Sequence, residues 1–246
     1  MRDQDSFFVG YLPAPPDVRR HAILAGLVLL AGFVLAALTL GRSPLDIGAS
    51  SYGDELAITG VYSASPYPIV VAAPDTAHPR GRTIMLGGEG KVGAQAFGAA
   101  FDGRTVTVKG VLVKRGALDM LLVGGADQFA AATPAQQRPA ATQLGRWRIS
   151  GEICDGKCAS GGMRPGVGLA HRACANLCIS TGLPPVLVTS APVEGSAYLL
   201  LANANGAAAP AAIADLVALP VTLEGDLERR GDLLIFRVDW SKARTS

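Results

Sequence analysis

Residues 105–124 read TVTVKGVLVKRGALDMLLVG, and residues 220–238 read PVTLEGDLERRGDLLIFRV. In each stretch, two runs rich in β-forming residues flank a charged turn that ends in glycine, which predicts a β-hairpin. Gly110 and Gly225 are 115 positions apart, and the two turn glycines that follow them have the same separation. Two matched elements at one offset predict that the chain contains two copies of one β module.

The segments before each hairpin complete the module in the same order. Three strand-like runs and a segment of small residues that predicts a short helix precede each hairpin, and the order β-β-β-α-β-β is that of an OB-like barrel. We therefore predict a mainly β protein with OB-like modules at residues 56–125 and 147–240, and with linkers at 42–55 and 126–146. The predicted strands before the hairpins are 56–62, 68–73 and 82–87 in the first module and 147–153, 185–190 and 197–203 in the second, with helical segments at 91–100 and 210–218.

The second module is longer than the first between its first two strands. The opening strands of the two copies are offset by 91 positions and the second strands by 117, so the second copy carries about 26 additional residues at this point. The extra residues lie within the segment 154–184, which holds all four cysteines. OB-like barrels often bind ligands through this connection, so we predict that the insertion carries the function.

A membrane span precedes the modules. Residues Ala22–Leu40 are 19 uncharged, mostly apolar positions, long enough to cross a bilayer as a helix. This run exceeds the apolar core of a signal peptide and no small-residue cleavage site follows it, so we predict an uncleaved helix over 21–41. Three arginines precede the span and one follows it closely, which predicts a cytoplasmic tail at 1–20 and a periplasmic location, at a bacterial inner membrane, for the rest.

Composition excludes several classes of function. The net charge is only +2 and aromatic residues make up 6% of the chain, so no basic, aromatic surface for nucleic acid is predicted. The chain has three histidines, of which one abuts the span and one lies in a polar turn. We therefore predict no catalytic residue and no enzymatic activity, although thiol–disulfide exchange stays open.

The insertion concentrates residues that bind metals or form disulfides. Its candidate ligands are Cys154, Cys158, His171, Cys174 and Cys178, spaced as C-x3-C, fifteen residues, and C-x3-C, with the histidine three positions before the third cysteine. The last three have helical spacing and would share one face of a helix that ends at the following Gly-Leu-Pro-Pro.

Two main interpretations of this segment remain open. In an oxidising compartment the cysteines can form two disulfides, with Cys154 and Cys158 each paired to one of the two cysteines on the predicted helix, because two cysteines of one helix are poorly placed to pair. Alternatively, the thiolates and the imidazole bind a metal ion, zinc or copper rather than iron. The segment does not contain the C-x-x-C motif of thioredoxin-like redox sites.

The run from Gly151 to Pro185, with its pattern C…H-x-x-C-A-x-x-C…G-x-P after a β strand, resembles a segment of a group of bacterial exported proteins. Its membrane-anchored members resemble the whole chain, including the start FFVGYLPAPP. No established activity accompanies that group. The resemblance therefore implies the architecture and no catalytic residue.

These observations predict a membrane-anchored periplasmic accessory or assembly subunit of a membrane-bound redox complex. Its anchor and aromatic tail would bind an integral-membrane or periplasmic protein, and the disulfide-stapled insertion would be a contact surface. The alternative is a metal- or cofactor-binding protein for electron transfer or metal delivery that uses the Cys/His cluster.

Overall fold

The computed structural model describes residues 15–40 and 47–245, and the chain divides into two compact units, Met1–Pro44 and Leu45–Ser246. In the first unit, helix α1 spans Pro16–Leu40. Proline is tolerated in the first turn of a helix because its missing N–H has no helical partner there. Among the described residues, α1 is the one helix long and apolar enough to cross a membrane. Most of the predicted tail lies outside the described residues.

The second unit is mainly β and contains a closed five-stranded barrel. Strands β1, β2, β3, β5 and β4 pair in that order, and β1 also pairs with β4. The β3–β5 pairing is parallel, and β6 adds to the edge of β4. The elements are β1 Ser50–Ser63, β2 Ile69–Val71, β3 Thr83–Gly88, α2 Gln95–Gly98, β4 Thr105–Arg115, β5 Leu118–Val123 and β6 Phe129–Ala131.

A second six-stranded sheet follows with the same sequence of pairings. Strands β7, β8, β9, β11 and β10 pair in that order, β10 also pairs with β7 and with β12, and the β9–β11 pairing is parallel. Helix α3 lies in the long connection between the first two of these strands. The elements are β7 Thr142–Asp155, α3 Arg172–Ser180, β8 Pro185–Val193, β9 Ser196–Asn203, β10 Pro220–Arg230, β11 Leu233–Val238 and β12 Arg244–Thr245.

Strands extend into both predicted linkers. Strand β1 starts at Ser50, inside the predicted linker 42–55, because its first residues pair with the end of β4. Within 126–146, β6 pairs with β4, and β7 begins at Thr142, paired with Arg229. These added residues are mostly exposed and show no alternation of polar and apolar side chains. Their partner strands are long, and pairing with them imposes the extended conformation.

One apolar core cluster includes residues of both sheets and of the insertion. Met85 and Met120 of the first sheet belong to it together with Leu183 of the insertion and Leu187 of β8. The insertion approaches the first barrel so closely that a Cβ added at Gly87 would lie 2.7 Å from Leu183 Cδ2. The Cys/His segment is therefore packed between the two sheets.

Candidate metal centre

Three elements of the insertion carry the four cysteines. Cys154 lies at the end of β7, where it pairs with Val186 of β8. Cys158 opens a short helical turn, and Cys174 and Cys178 lie one turn apart on α3. The helix ends as predicted, since Gly182 has a φ of 97° that favours glycine.

The sulfurs of Cys158, Cys174 and Cys178 converge. All three Sγ atoms lie within 4.8 Å of one another. The side chains of Cys158 and Cys178 are buried, whereas that of Cys174 is partly exposed. The structure thus brings together three thiols, with one of them at the surface.

The two buried thiols of this cluster are electrostatically coupled. Cys158 donates a hydrogen bond to the Cys178 sulfur, which raises the pKa of Cys158 and lowers that of Cys178, while burial raises the pKa of Cys158 further. A shared proton stabilises one thiolate next to a neutral thiol. The arrangement favours a thiolate at Cys178, which is the form that attacks electrophiles and binds metals.

Two lysines bring positive charge to the cluster. The Lys91 ammonium lies 3.2 Å from Cys174 Sγ, and this contact raises the pKa of Lys91. Lys157 Nζ donates to the carbonyl oxygens of Gly88, at 3.0 Å, of Gly90, at 2.8 Å, and of Glu89. Burial lowers the pKa of Lys157, and the nearby Cys158 and Cys178 oppose that effect.

Residues 88–93 belong to the first barrel and cover one side of the cluster. Gly93 N–H donates to the carbonyl of Thr181 at 2.9 Å, and the Thr181 hydroxyl donates to the carbonyl of Lys91. Gln95 Nε2 donates to the carbonyl of Gly182 at 2.6 Å. These bonds fix the loop against the end of α3 and position Lys91 over the thiols.

A thioether completes the surroundings of Cys174. Met163 Sδ lies 3.7 Å from Cys174 Sγ. Met163 is 39% exposed. The exposed side of the cluster therefore presents a thiol and a thioether.

Cys154, Asp155 and His171 form a second, buried group, with their ligand atoms within 4.8 Å of one another. His171 Nε2 lies 3.1 Å from Asp155 Oδ2, and Asp155 Oδ1 accepts the N–H of Cys158 at 2.9 Å. Cys154 Sγ donates to the carbonyl of Gly166 at 2.6 Å, and burial raises its pKa. Each of these polar groups has a hydrogen-bond partner within the fold.

The five predicted ligands therefore fall into two groups. The three-thiol cluster contains Cys158, Cys174 and Cys178, while Cys154 and His171 lie in the other group. The prediction that His171 shares a helix with Cys174 and Cys178 is wrong, because His171 ends a short 3-10 turn directly before α3 and its ring is directed to Asp155. None of the four cysteines is in a disulfide.

The polar and thioether neighbours of the cluster were not predicted from the sequence. Asp155 directly follows Cys154 in the chain, so its position next to a cysteine was evident from the sequence. Its pairing with His171 was not. Lys91 lies 83 positions from Cys174 in the chain, and Met163 lies in an irregular segment without periodicity. Only the tertiary contacts bring Lys91 and Met163 to the thiols.

Comparisons of the chain with protein-family models, with curated proteins and with solved structures return no match.

Proposed function

We propose that this protein is a membrane-anchored metal-binding protein that holds a soft metal ion for delivery to a partner. The observation that carries the proposal is the convergence of three cysteine sulfurs within 4.8 Å of one another. Any single disulfide within this trio would leave the third thiol unpaired, whereas a metal ion uses all three. Thiolates are the ligands that Cu(I) and Zn(II) share.

The exposure of the cluster supports delivery in preference to permanent storage. Structural metal sites are closed by protein ligands, whereas Cys174 is partly exposed and Met163 lies beside it at the surface. A partner's thiolate can reach the metal from this side and replace one ligand at a time. Release by ligand exchange needs such an accessible ligand.

The membrane placement is part of the proposal. Helix α1 anchors the chain, with the N-terminus in the cytoplasm and residues 45–246 in the periplasm of a bacterium, as the flanking arginines predict. The partner is then a periplasmic or integral-membrane protein, such as a redox complex that receives its metal during assembly. The accessory-subunit prediction and the metal-binding prediction describe one protein in this view.

We further propose that the two sheets are tandem OB-like modules that arose by duplication. The same order of pairings in both sheets and the parallel pairing of the third and fifth strand in each support this. Alignment of the hairpins at one offset supports it from the sequence. The metal-binding insertion then occupies the loop between the first two strands of the second module, where this fold often binds ligands.

Metal analysis and thiol counting on the full chain, purified in detergent from a periplasm-bearing host, test the function. We expect four free thiols after chelation and about one metal ion per chain before it. Replacement of Cys158, Cys174 or Cys178 by serine should abolish stoichiometric metal binding, because only two of the three thiolates then remain.

The matched control is Cys154→Ser, which lies outside the three-thiol cluster. Its hydroxyl can donate to the Gly166 carbonyl as the thiol does, so we expect the fold and the metal content to be retained. A wild-type protein with no free thiols and no metal would overturn the proposal and support the disulfide-stapled contact surface.

A further inference from the structure

We propose that the metal ion is Cu(I) and that the Met163 thioether is a ligand that selects it. This inference rests on the proposed function and names the metal of the same site. The sequence left zinc and copper equally open, and it gave no role to Met163.

The Met163 thioether lies next to the exposed thiol of the cluster. Met163 Sδ lies 3.7 Å from Cys174 Sγ, which is a separation that two ligands of one metal ion can adopt. Thioether sulfur binds soft ions such as Cu(I), whereas zinc is held by thiolate, imidazole and carboxylate. Met163 is also partly exposed, so its position is not explained by core packing.

The ligand atoms that converge at this point are all sulfur. Among the described residues, the group of acidic, histidine and cysteine side chains here consists of Cys158, Cys174 and Cys178. The Asp155 carboxylate also interacts with the Cys158 thiol, but its Oδ1 accepts the N–H of Cys158 and its Oδ2 lies 3.1 Å from His171 Nε2. Protein ligands of zinc are thiolate, imidazole and carboxylate, so three thiols and a thioether suit Cu(I) better.

Affinity measurements on the full chain in detergent, reduced and anaerobic, test the inference. Cu(I) affinity is measured by competition with bathocuproine disulfonate, and Zn(II) affinity by competition with a chromophoric zinc chelator. We expect Met163→Leu to weaken Cu(I) binding by about tenfold or more and to leave Zn(II) binding unchanged, because the loss of a partner that only orients a ligand already costs about 10–100-fold in metal affinity. Leu169→Ala, at another exposed apolar position of the insertion, should change neither affinity.

A second variant keeps the inference testable if the leucine variant misfolds. Met163→His replaces the thioether by an imidazole and should shift the selectivity towards Zn(II). An unchanged Cu(I) affinity in Met163→Leu, with metal binding still lost in Cys158→Ser, would overturn the role of Met163 and leave the proposed function standing. Absence of binding of either metal to the wild-type protein would overturn both.

Discussion

At the scale of single residues, the four cysteines differ in their exposure to solvent. Cys174 is partly exposed, whereas Cys154 and Cys158 are buried and have raised pKa values. We therefore expect iodoacetamide to modify Cys174 first in the reduced, metal-free protein at pH 8, and Cys154 and Cys158 last. Mass spectrometry of quenched time points gives the order.

Two lysine variants, one at Lys91 and a control at Lys109, extend this prediction. Lys91→Gln removes the ammonium 3.2 Å from Cys174 Sγ and should slow the modification of Cys174, because the positive charge beside the attacking sulfur is lost. Lys109→Gln, on an exposed face of β4, should leave the rate unchanged. Equal rates at Cys154 and Cys174 would contradict the burial described above.

The Tyr62 hydroxyl is a second case in which a single atom has a measurable effect. Among the described residues it is buried without a hydrogen-bond partner, and burial raises the pKa of Tyr62 to about 12. An unpaired buried hydroxyl contributes a desolvation cost and no bond. Tyr62→Phe should therefore leave the free energy of unfolding unchanged or raise it by up to about 1 kcal/mol.

The pH dependence of the same variant follows from the raised pKa. Between pH 10 and about 12 the folded state keeps the Tyr62 proton that the unfolded state releases, so the free energy of unfolding falls as pH rises through this window, by at most about 1.4 kcal/mol per pH unit. Urea unfolding at pH 9 to 11 should show a smaller fall for Tyr62→Phe than for the wild type. A loss of 2 kcal/mol or more at pH 7 would mean that the hydroxyl has a partner.

At the scale of elements, the loop 88–93 and helix α3 depend on a close backbone approach. A Cβ at Gly93 would lie 2.7 Å from the carbonyl carbon of Gly182, which cannot move without displacing the end of α3. We expect Gly93→Ala to lower the free energy of unfolding by about 1–3 kcal/mol and to weaken metal binding, because Lys91 and α3 separate.

Gly90→Ala is the matched control in the same loop. A Cβ at Gly90 would meet nothing within 4 Å, so stability and metal affinity should be those of the wild type. Urea unfolding and metal competition measure both effects. If both alanine variants had the same free energy of unfolding and the same metal affinity, the loop would not support the cluster.

At the scale of the whole molecule, the shared core predicts how residues 45–246 unfold. Because one apolar cluster includes residues of both sheets and of the insertion, we expect a single cooperative transition. The fluorescence of Trp147 and Trp240 reports on the second sheet, and far-ultraviolet circular dichroism reports on both sheets. The unfolding transitions measured by the two methods should coincide. Two separated transitions would indicate independently folding modules.

Leu183→Ala tests the same core at its centre. Leu183 is fully buried in this cluster, so the truncation should cost about 3 kcal/mol and should shift both probes together. A shift of the tryptophan signal alone would confine the effect to the second sheet.

The sequence by itself determined the features that depend on local pattern. The apolar run of α1, the hairpins around their turn glycines, and helix α3 with its terminal glycine follow from periodicity and backbone preference, and the structure confirms each element. The position of the insertion followed from two unequal offsets in the chain. Local signals of this kind act between residues that are neighbours in sequence, so the sequence displays them directly.

Only the tertiary structure decided which side chains of the insertion meet. The sequence spacing predicted His171 on the same helix face as Cys174 and Cys178. In the structure His171 precedes α3 and contacts Asp155, whereas the two cysteines converge with Cys158. The start of β1 at Ser50 could not be predicted from the sequence either, since its first, exposed residues are extended only because they pair with β4. These outcomes depend on packing between segments that are distant in the chain. Local sequence patterns do not specify which distant side chains come into contact.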